Sequence, residues 1–102
     1  MDKNSFAIKI YNQQGEILVA ACDEGILGKK FEEGELQIEV HTHFYDGFRV
    51  DREGLLSQLG SSTIANLVGE KVVKCALEAG LVSEDCIIRI QGIPHVQIFK
   101  MM

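Results

Sequence analysis

The clearest hydrophobic pattern in the chain lies in residues 62–102, STIANLVGEKVVKCALEAGLVSEDCIIRIQGIPHVQIFKMM. Between residues 64 and 79 the apolar side chains recur at steps of three and four, which predicts one amphipathic helix. Ser62 is suited to cap the start of this helix, and Gly80 is suited to end it in a left-handed conformation. We therefore expect one long helix over residues 64–79.

The remainder of this stretch predicts two strands. In residues 86–91, positions 86, 88 and 90 are apolar and face one side, and in residues 95–99 positions 96 and 98 do the same. The segment GIPH, residues 92–95, lies between them and contains the only proline of the chain. A trans bond before Pro94 is expected, because the trans form is favoured even before proline.

The first half of the chain predicts shorter elements. Residues 6–10 and 16–21 are apolar-patterned and flank the turn NQQG (12–15), which is typical of a β-hairpin. The glycine-rich and charged residues 22–34 predict a loop, whereas residues 36–41 predict a third strand and residues 48–50 a short fourth one. Asp51 is a natural N-cap for a short helix ending at Gly60.

The predicted order is β-β-β-α-α-β-β within a single domain, residues 1–102. Strands grouped on either side of two helices indicate the α+β class. We expect a two-layer sandwich in which one long and one short helix cover a largely antiparallel sheet of about five strands.

Composition limits the classes of function. The net charge of −5 lacks the electropositive footprint of nucleic-acid-binding proteins, so direct nucleic-acid binding is disfavoured. Contact with a protein, including a protein within a ribonucleoprotein, remains compatible with this charge. No stretch has the apolar length of a membrane span or a secretory leader, and we expect a cytoplasmic protein without membrane contact.

The three cysteines are widely spaced and odd in number, as expected of reduced thiols in a cytosolic protein. Cys75, within the predicted helix, and Cys86, at a predicted strand start, are expected to pack as small core residues.

Several short segments, taken in order, resemble the archaeal domain-of-unknown-function family 424. These segments are ACDE (21–24), LGK (27–29), FEEG (31–34), IANLVG (64–69) and GIPHVQ (92–97). The resemblance implies an archaeal cytoplasmic protein associated with translation, with no established activity, substrate or cofactor. The residues matching its motifs are Cys22, Asp23, Gly28, Asn66, Gly69, Pro94, His95 and Gln97.

Cys22, Asp23 and His95 are the candidate catalytic residues. Cys22 and Asp23 lie where a predicted strand meets a loop, and a thiolate nucleophile needs a nearby base such as His95. This arrangement predicts a small enzyme of acyl or group transfer. The alternative is that Cys22 packs in the core while Asp23 binds loop amides.

The candidate binding residues are Asn66, Gly69, Pro94, His95 and Gln97. Gly69 lies early in the predicted helix, where glycine is costly, so close packing or an approaching ligand is expected there. His95 and Gln97 share one face of the last strand, where they can form a site or a solvated polar surface. No phosphate-binding glycine motif is present and no cofactor is expected.

Glu39, His41 and His43 occupy alternate positions of the third predicted strand, and side chains so spaced can share one divalent cation. No fourth ligand accompanies them and such spacing is common by chance, so the sequence favours a solvated polar face over a metal site. The sequence thus leaves three hypotheses: an interaction module attached to translation machinery, a thiol enzyme, or a metal-binding module.

Overall fold

The computed structural model describes residues 5–100, which form eight strands and three α-helices. The strands are β1 (Phe6–Gln13), β2 (Glu16–Asp23), β3 (Lys30–Glu33), β4 (Leu36–Glu39), β5 (Phe48–Val50), β6 (Ile64–Val68), β7 (Ile88–Ile90) and β8 (Ile93–Phe99). The helices are α1 (Thr42–Tyr45), α2 (Arg52–Ser61) and α3 (Glu70–Glu78), and Glu24–Ile26 and Glu84–Cys86 form single 3₁₀ turns. None of the helices in residues 5–100 has the length and apolar character needed to cross a bilayer.

Six strands form one sheet in the order β5-β1-β2-β6-β8-β7, and β3 pairs with β4 in a separate hairpin. Strands β2 and β6 are parallel, whereas the other neighbours in the sheet are antiparallel. The predicted α+β class is confirmed. The count of about five strands was too low, because β3 and the central strand β6 were missed, and the predicted third strand, β4, pairs with β3 outside the main sheet.

Elements pack on both faces of the sheet, completely on one and partly on the other, so the predicted two-layer arrangement is incomplete. Helices α2 and α3 bury one face in a core that includes Ile8, Leu55, Leu67 and Val72. A second cluster of buried residues lies on the opposite face, where the β3–β4 hairpin and α1 pack. Its members are Ala7, Ala20, Cys22, Val40, Tyr45 and Val68.

The long helix predicted over residues 64–79 is wrong in its first part. Residues Ile64–Val68 form β6, the strand between β2 and β8, and helix α3 begins only at Glu70. Four of the five residues in this run are apolar and most of them are buried, so the run satisfies a helical spacing as well as a strand and periodicity cannot separate the two. Ser62, predicted to cap this helix, instead follows α2, where its hydroxyl donates to the Leu59 carbonyl oxygen.

The chain passes from β6 to α3 through Gly69, whose φ of 123° and ψ of 151° belong to a region that is essentially restricted to glycine. The missing side chain also leaves room for Asp23 at the end of β2. A Cβ atom on Gly69 would lie 2.6 Å from the Asp23 carboxyl carbon. The Asp23 carboxylate accepts hydrogen bonds from the backbone N–H of Lys71 (2.9 Å) and of Val72 (2.8 Å). Asp23 therefore caps α3 from a neighbouring strand.

Two other local predictions are corrected by the structure. The predicted loop over residues 22–34 contains β3, because Phe31 pairs with Ile38 of β4 and packs on the second core cluster. Cys86 is exposed in a 3₁₀ turn rather than buried at a strand start, whereas Cys75 is buried as predicted.

Several turn and cap predictions are confirmed. The first hairpin pairs residues 6–13 with residues 16–23, and the Asp51 carboxylate caps α2 by accepting from the Gly54 N–H at 2.9 Å. Gly80 follows α3 with a φ of 76°, and the bond before Pro94 is trans.

Replacing Gly69 by alanine tests the constraint at the β6–α3 turn. We expect Gly69→Ala to lower the free energy of unfolding by at least roughly 1–3 kcal/mol, from backbone strain alone, with a further loss from displacing Asp23. Urea unfolding monitored by circular dichroism measures the change.

Gly60→Ala is the matched control. Gly60 lies within α2, and no atom lies within 4 Å of a Cβ built there. This variant should be more stable than the wild type by about 0.5–1 kcal/mol, because alanine is favoured over glycine in a helix. Equal effects of the two substitutions on the free energy of unfolding would contradict the special backbone constraint assigned to Gly69.

Candidate functional site

Strand register places the candidate residues on β2, β6 and β8 in parallel rows. Cys22 pairs with Val68, which pairs with His95, and in the next row Ala20, Asn66 and Gln97 are aligned. Leu18, Ile64 and Phe99 form the third row. Because side chains alternate along strands, all three rows lie on the face opposite α2 and α3. We call Leu18, Ile64, Asn66, His95, Gln97 and Phe99 the open face, because these members of the three rows are half-buried or exposed, whereas Ala20, Cys22 and Val68 are buried.

A hydrogen-bond network centred on Asn66 lies within the open face. The Tyr45 hydroxyl from α1 donates to Asn66 Oδ1 at 2.9 Å, and His95 Nε2 lies 3.0 Å from the same oxygen. A carbonyl oxygen can only accept, so the proton of His95 is on Nε2 and the lone pair is on Nδ1. Burial lowers the pKa of His95, which keeps this imidazole neutral at physiological pH.

Two polar atoms of this network remain available. Within residues 5–100, neither the Asn66 amide nitrogen nor His95 Nδ1 forms a hydrogen bond. No buried side-chain nitrogen or oxygen in that range lacks a partner, so these two atoms reach the surface. The network thus presents one donor and one acceptor to solvent on adjacent strands.

A cavity of about 430 Å³ lies at the end of the sheet near the β1–β2 turn, where its lining includes the Leu18–Ile64 row that neighbours the row of Asn66. Leu18 and Ile64 belong to its lining, together with Tyr11 and Phe44, whose rings stack with centroids 5.4 Å apart. The polar lining residues are Gln13, Gln14 and Glu16. The cavity is therefore mainly apolar, with a single carboxylate among its lining side chains.

Asp23, Gly69 and Pro94 are placed differently from the other candidates. Asp23 points toward α3 and caps it, and Gly69 provides the turn that this cap requires. Pro94 is buried, and its carbonyl oxygen accepts a hydrogen bond from the Gly69 N–H at 3.0 Å. All three residues stabilise the junction between β6 and α3, and none belongs to the open face.

The geometry does not favour Cys22 as a nucleophile. The side chain is buried, and burial together with the charge of Asp23 raises the pKa of its thiol to about 12. The hydrogen-bond partner of His95 is Asn66 rather than Cys22. Cys22 is thus a protonated thiol within the second core cluster.

The three metal candidates do not share a strand face, so that prediction is wrong. Strand β4 ends at Glu39, and His41 immediately precedes α1, which contains His43. Glu39 and His41 approach each other at 3.7 Å, and all three side chains are exposed. In residues 5–100 no three His, Cys, Asp or Glu side chains are grouped so as to hold a metal ion.

Sequence reasoning missed Tyr45, Tyr11 and Phe44. Tyr45 is buried, and its hydroxyl contacts Asn66, 21 residues away in sequence. The available signal was the adjacent pair Phe44–Tyr45 in a chain that has only seven aromatic residues. Aromatic side chains in such a chain are expected to serve as anchors of a core or a site.

Thiol labelling tests the state of Cys22. We expect iodoacetamide to alkylate exposed Cys86 in the folded protein and to leave Cys22 unmodified until unfolding, because labelling follows the thiolate fraction and access. Peptide mass spectrometry over time measures both rates. Alkylation of Cys22 as fast as that of Cys86 would restore the nucleophile hypothesis.

The pH dependence of stability tests the burial of His95. Its pKa in the folded state lies below the ordinary 6.5, so the unfolded state binds the proton more readily. The stability that the neutral imidazole contributes is complete above pH 6.5 and is lost as the pH falls through the folded-state pKa. We expect the wild type to lose stability relative to His95→Gln between about pH 8 and pH 5, measured by urea unfolding. If the free energies of unfolding of the wild type and His95→Gln differed by the same amount at every pH in this range, His95 would be solvated in the folded protein.

Comparison with known proteins identifies the family and the fold. The family model described as "Protein of unknown function (DUF424)" matches residues 11–101. The crystal structure of an uncharacterized conserved protein from Methanopyrus kandleri is similar, with a TM-score of 0.76 and 23% identity, covering 96% of this chain and 95% of that one. At this identity the similarity shows a shared fold. No protein with a curated description matches the sequence. Because the family model spans nearly all of the sequence, the chain belongs to the DUF424 family.

Proposed function

We propose that this protein is a small cytoplasmic interaction module that binds a protein partner through the open face. The observation that carries this proposal is the alignment of Leu18, Ile64 and Phe99 in one row beside the Asn66 network. Apolar side chains on an uncovered part of a sheet, flanked by polar groups, are typical of protein-binding surfaces.

Phe99 is the most exposed apolar residue of this surface. It retains 65% of its accessible area, although its row neighbour Ile64 is partly covered. An aromatic side chain left in water beside an apolar cavity can contribute strongly to binding when a partner covers it. Phe99 and the cavity together supply an apolar centre, and Gln97 with Glu16 supplies a polar rim.

Charge supports a protein rather than a nucleic acid as the partner. The protein carries a net charge of −5, and the charged residue lining the cavity is Glu16. A phosphate backbone is bound by lysine and arginine, which do not line this cavity. A ribonucleoprotein would thus be contacted through one of its proteins. The association with translation that the family resemblance implies makes ribosome-bound proteins the first partners to test.

Site-specific photocrosslinking tests the proposal. Benzoylphenylalanine replaces Phe99 or Gln97 in the full chain expressed in its native cells, and crosslinked products are identified by mass spectrometry. We expect the same single protein to be captured from both positions, because both side chains are exposed on the open face.

Lys74 provides the matched control, because it is exposed on α3, on the opposite side of the sheet. The same photoreactive residue at position 74 should not capture that protein. Capture from all three positions alike, or from none, would count against a partner bound at the open face.

A further inference from the structure

The cavity beside the open face indicates which part of a partner is recognised, and this inference rests on the proposed function. Its volume of about 430 Å³ lies within the range of about 300–1,000 Å³ that is usual for ligand pockets. Leu18, Ile64, Tyr11 and Phe44 line it with aliphatic and aromatic surface. A large apolar side chain is the group that gains most from leaving water there.

Glu16 gives this cavity its charge preference. Its Oε1 accepts a hydrogen bond from the Thr63 hydroxyl at 2.7 Å, which orients the carboxylate, and Oε2 forms no hydrogen bond within residues 5–100. Lys9 lies 5.6 Å from the centre of the Tyr11 ring, but its ammonium donates to the His43 carbonyl oxygen. A lysine or arginine next to the apolar side chain of a partner would find an acceptor at Glu16.

The Asn66 network can form hydrogen bonds with the backbone of a partner peptide. The Asn66 amide nitrogen is an available donor and His95 Nδ1 an available acceptor. A peptide group offers the complementary carbonyl oxygen and N–H, and a neutral imidazole can accept the latter. Nucleobases offer similar groups, but their phosphates would meet Glu16 instead of a cation.

We propose that the open face binds an extended peptide segment in which a large apolar residue, held in the cavity, is followed by a basic residue held by Glu16. The backbone of this segment pairs with Asn66 and His95. The ligand is thus a basic, apolar-anchored segment of a protein partner.

Titration of the ¹⁵N-labelled full chain with blocked peptides tests this inference by NMR. The probes are acetyl-Gly-Phe-Lys-Gly-amide, the same peptide with Glu in place of Lys, and the same peptide with Ala in place of Phe. We expect the Phe-Lys peptide to shift the amide signals of Leu18, Ile64 and Asn66. Exchanging Lys for Glu should weaken binding about fivefold, as for an exposed ion pair, and exchanging Phe for Ala about tenfold or more.

Substitutions at position 16 separate charge from apolar binding. Glu16→Gln should remove the preference for Lys over Glu while binding of the Phe side chain persists, and Glu16→Lys should reverse the preference. Glu53→Gln is the control, because Glu53 is an exposed carboxylate in the first turn of α2. This control should bind all three peptides as the wild type does.

Equal affinity for the three peptides, or signal changes elsewhere in the chain, would overturn the inference. A ten-nucleotide oligouridine that shifts the same signals when the peptides do not would assign the face to single-stranded nucleic acid instead. Crosslinking from positions 97 and 99 without these peptide preferences would leave the interaction module standing and refute only the segment proposed here. Peptide binding with these preferences but without crosslinking would support the segment proposed here and count against a protein partner bound at the open face in the cell.

Discussion

The hydrogen bonds between the Asp23 carboxylate and the first turn of α3 are the interaction on which the rest of the structure depends. They join the end of β2 to the start of α3, 48 and 49 residues later in the chain. The bonds are possible because Gly69 adopts a conformation restricted to glycine and has no Cβ to occupy the place of the carboxylate. Without this junction, β6 could not enter the sheet beside β2 and turn directly into the helix that covers it.

The same junction separates the two faces of the sheet. Asp23 points toward the helices, so its neighbour Cys22 points to the other side, and the parallel pairing of β2 with β6 extends this alternation to Asn66 and Val68. Strand β8 continues it to His95 and Gln97. A shift of one residue in register would place these polar groups against α2 and α3 and would expose the core. The open face and the α3 cap are therefore consequences of one register.

The chemistry of the open face supports the binding role proposed above. The buried thiol of Cys22 is held in its protonated form, and the hydrogen bond of His95 is made to an amide. A neutral histidine, an asparagine and a tyrosine linked by hydrogen bonds form a rigid polar group of the kind that orients a ligand. The neighbouring cavity and Phe99 supply apolar area, which provides most of the free energy in protein recognition.

The sequence by itself determined the α+β class, the first hairpin, the Asp51 cap of α2 and the glycine that ends α3, because each follows from local periodicity or from the chemistry of a turn. It also singled out Asn66, His95 and Gln97, although as separate residues. Tertiary structure alone decided that Ile64–Val68 is a strand, since a short and mostly apolar run suits a buried strand and a helix equally until neighbouring strands satisfy its backbone groups. It likewise decided that Asp23 caps a distant helix and that Tyr45 joins Asn66, because contacts between residues far apart in sequence leave no periodic trace in either segment.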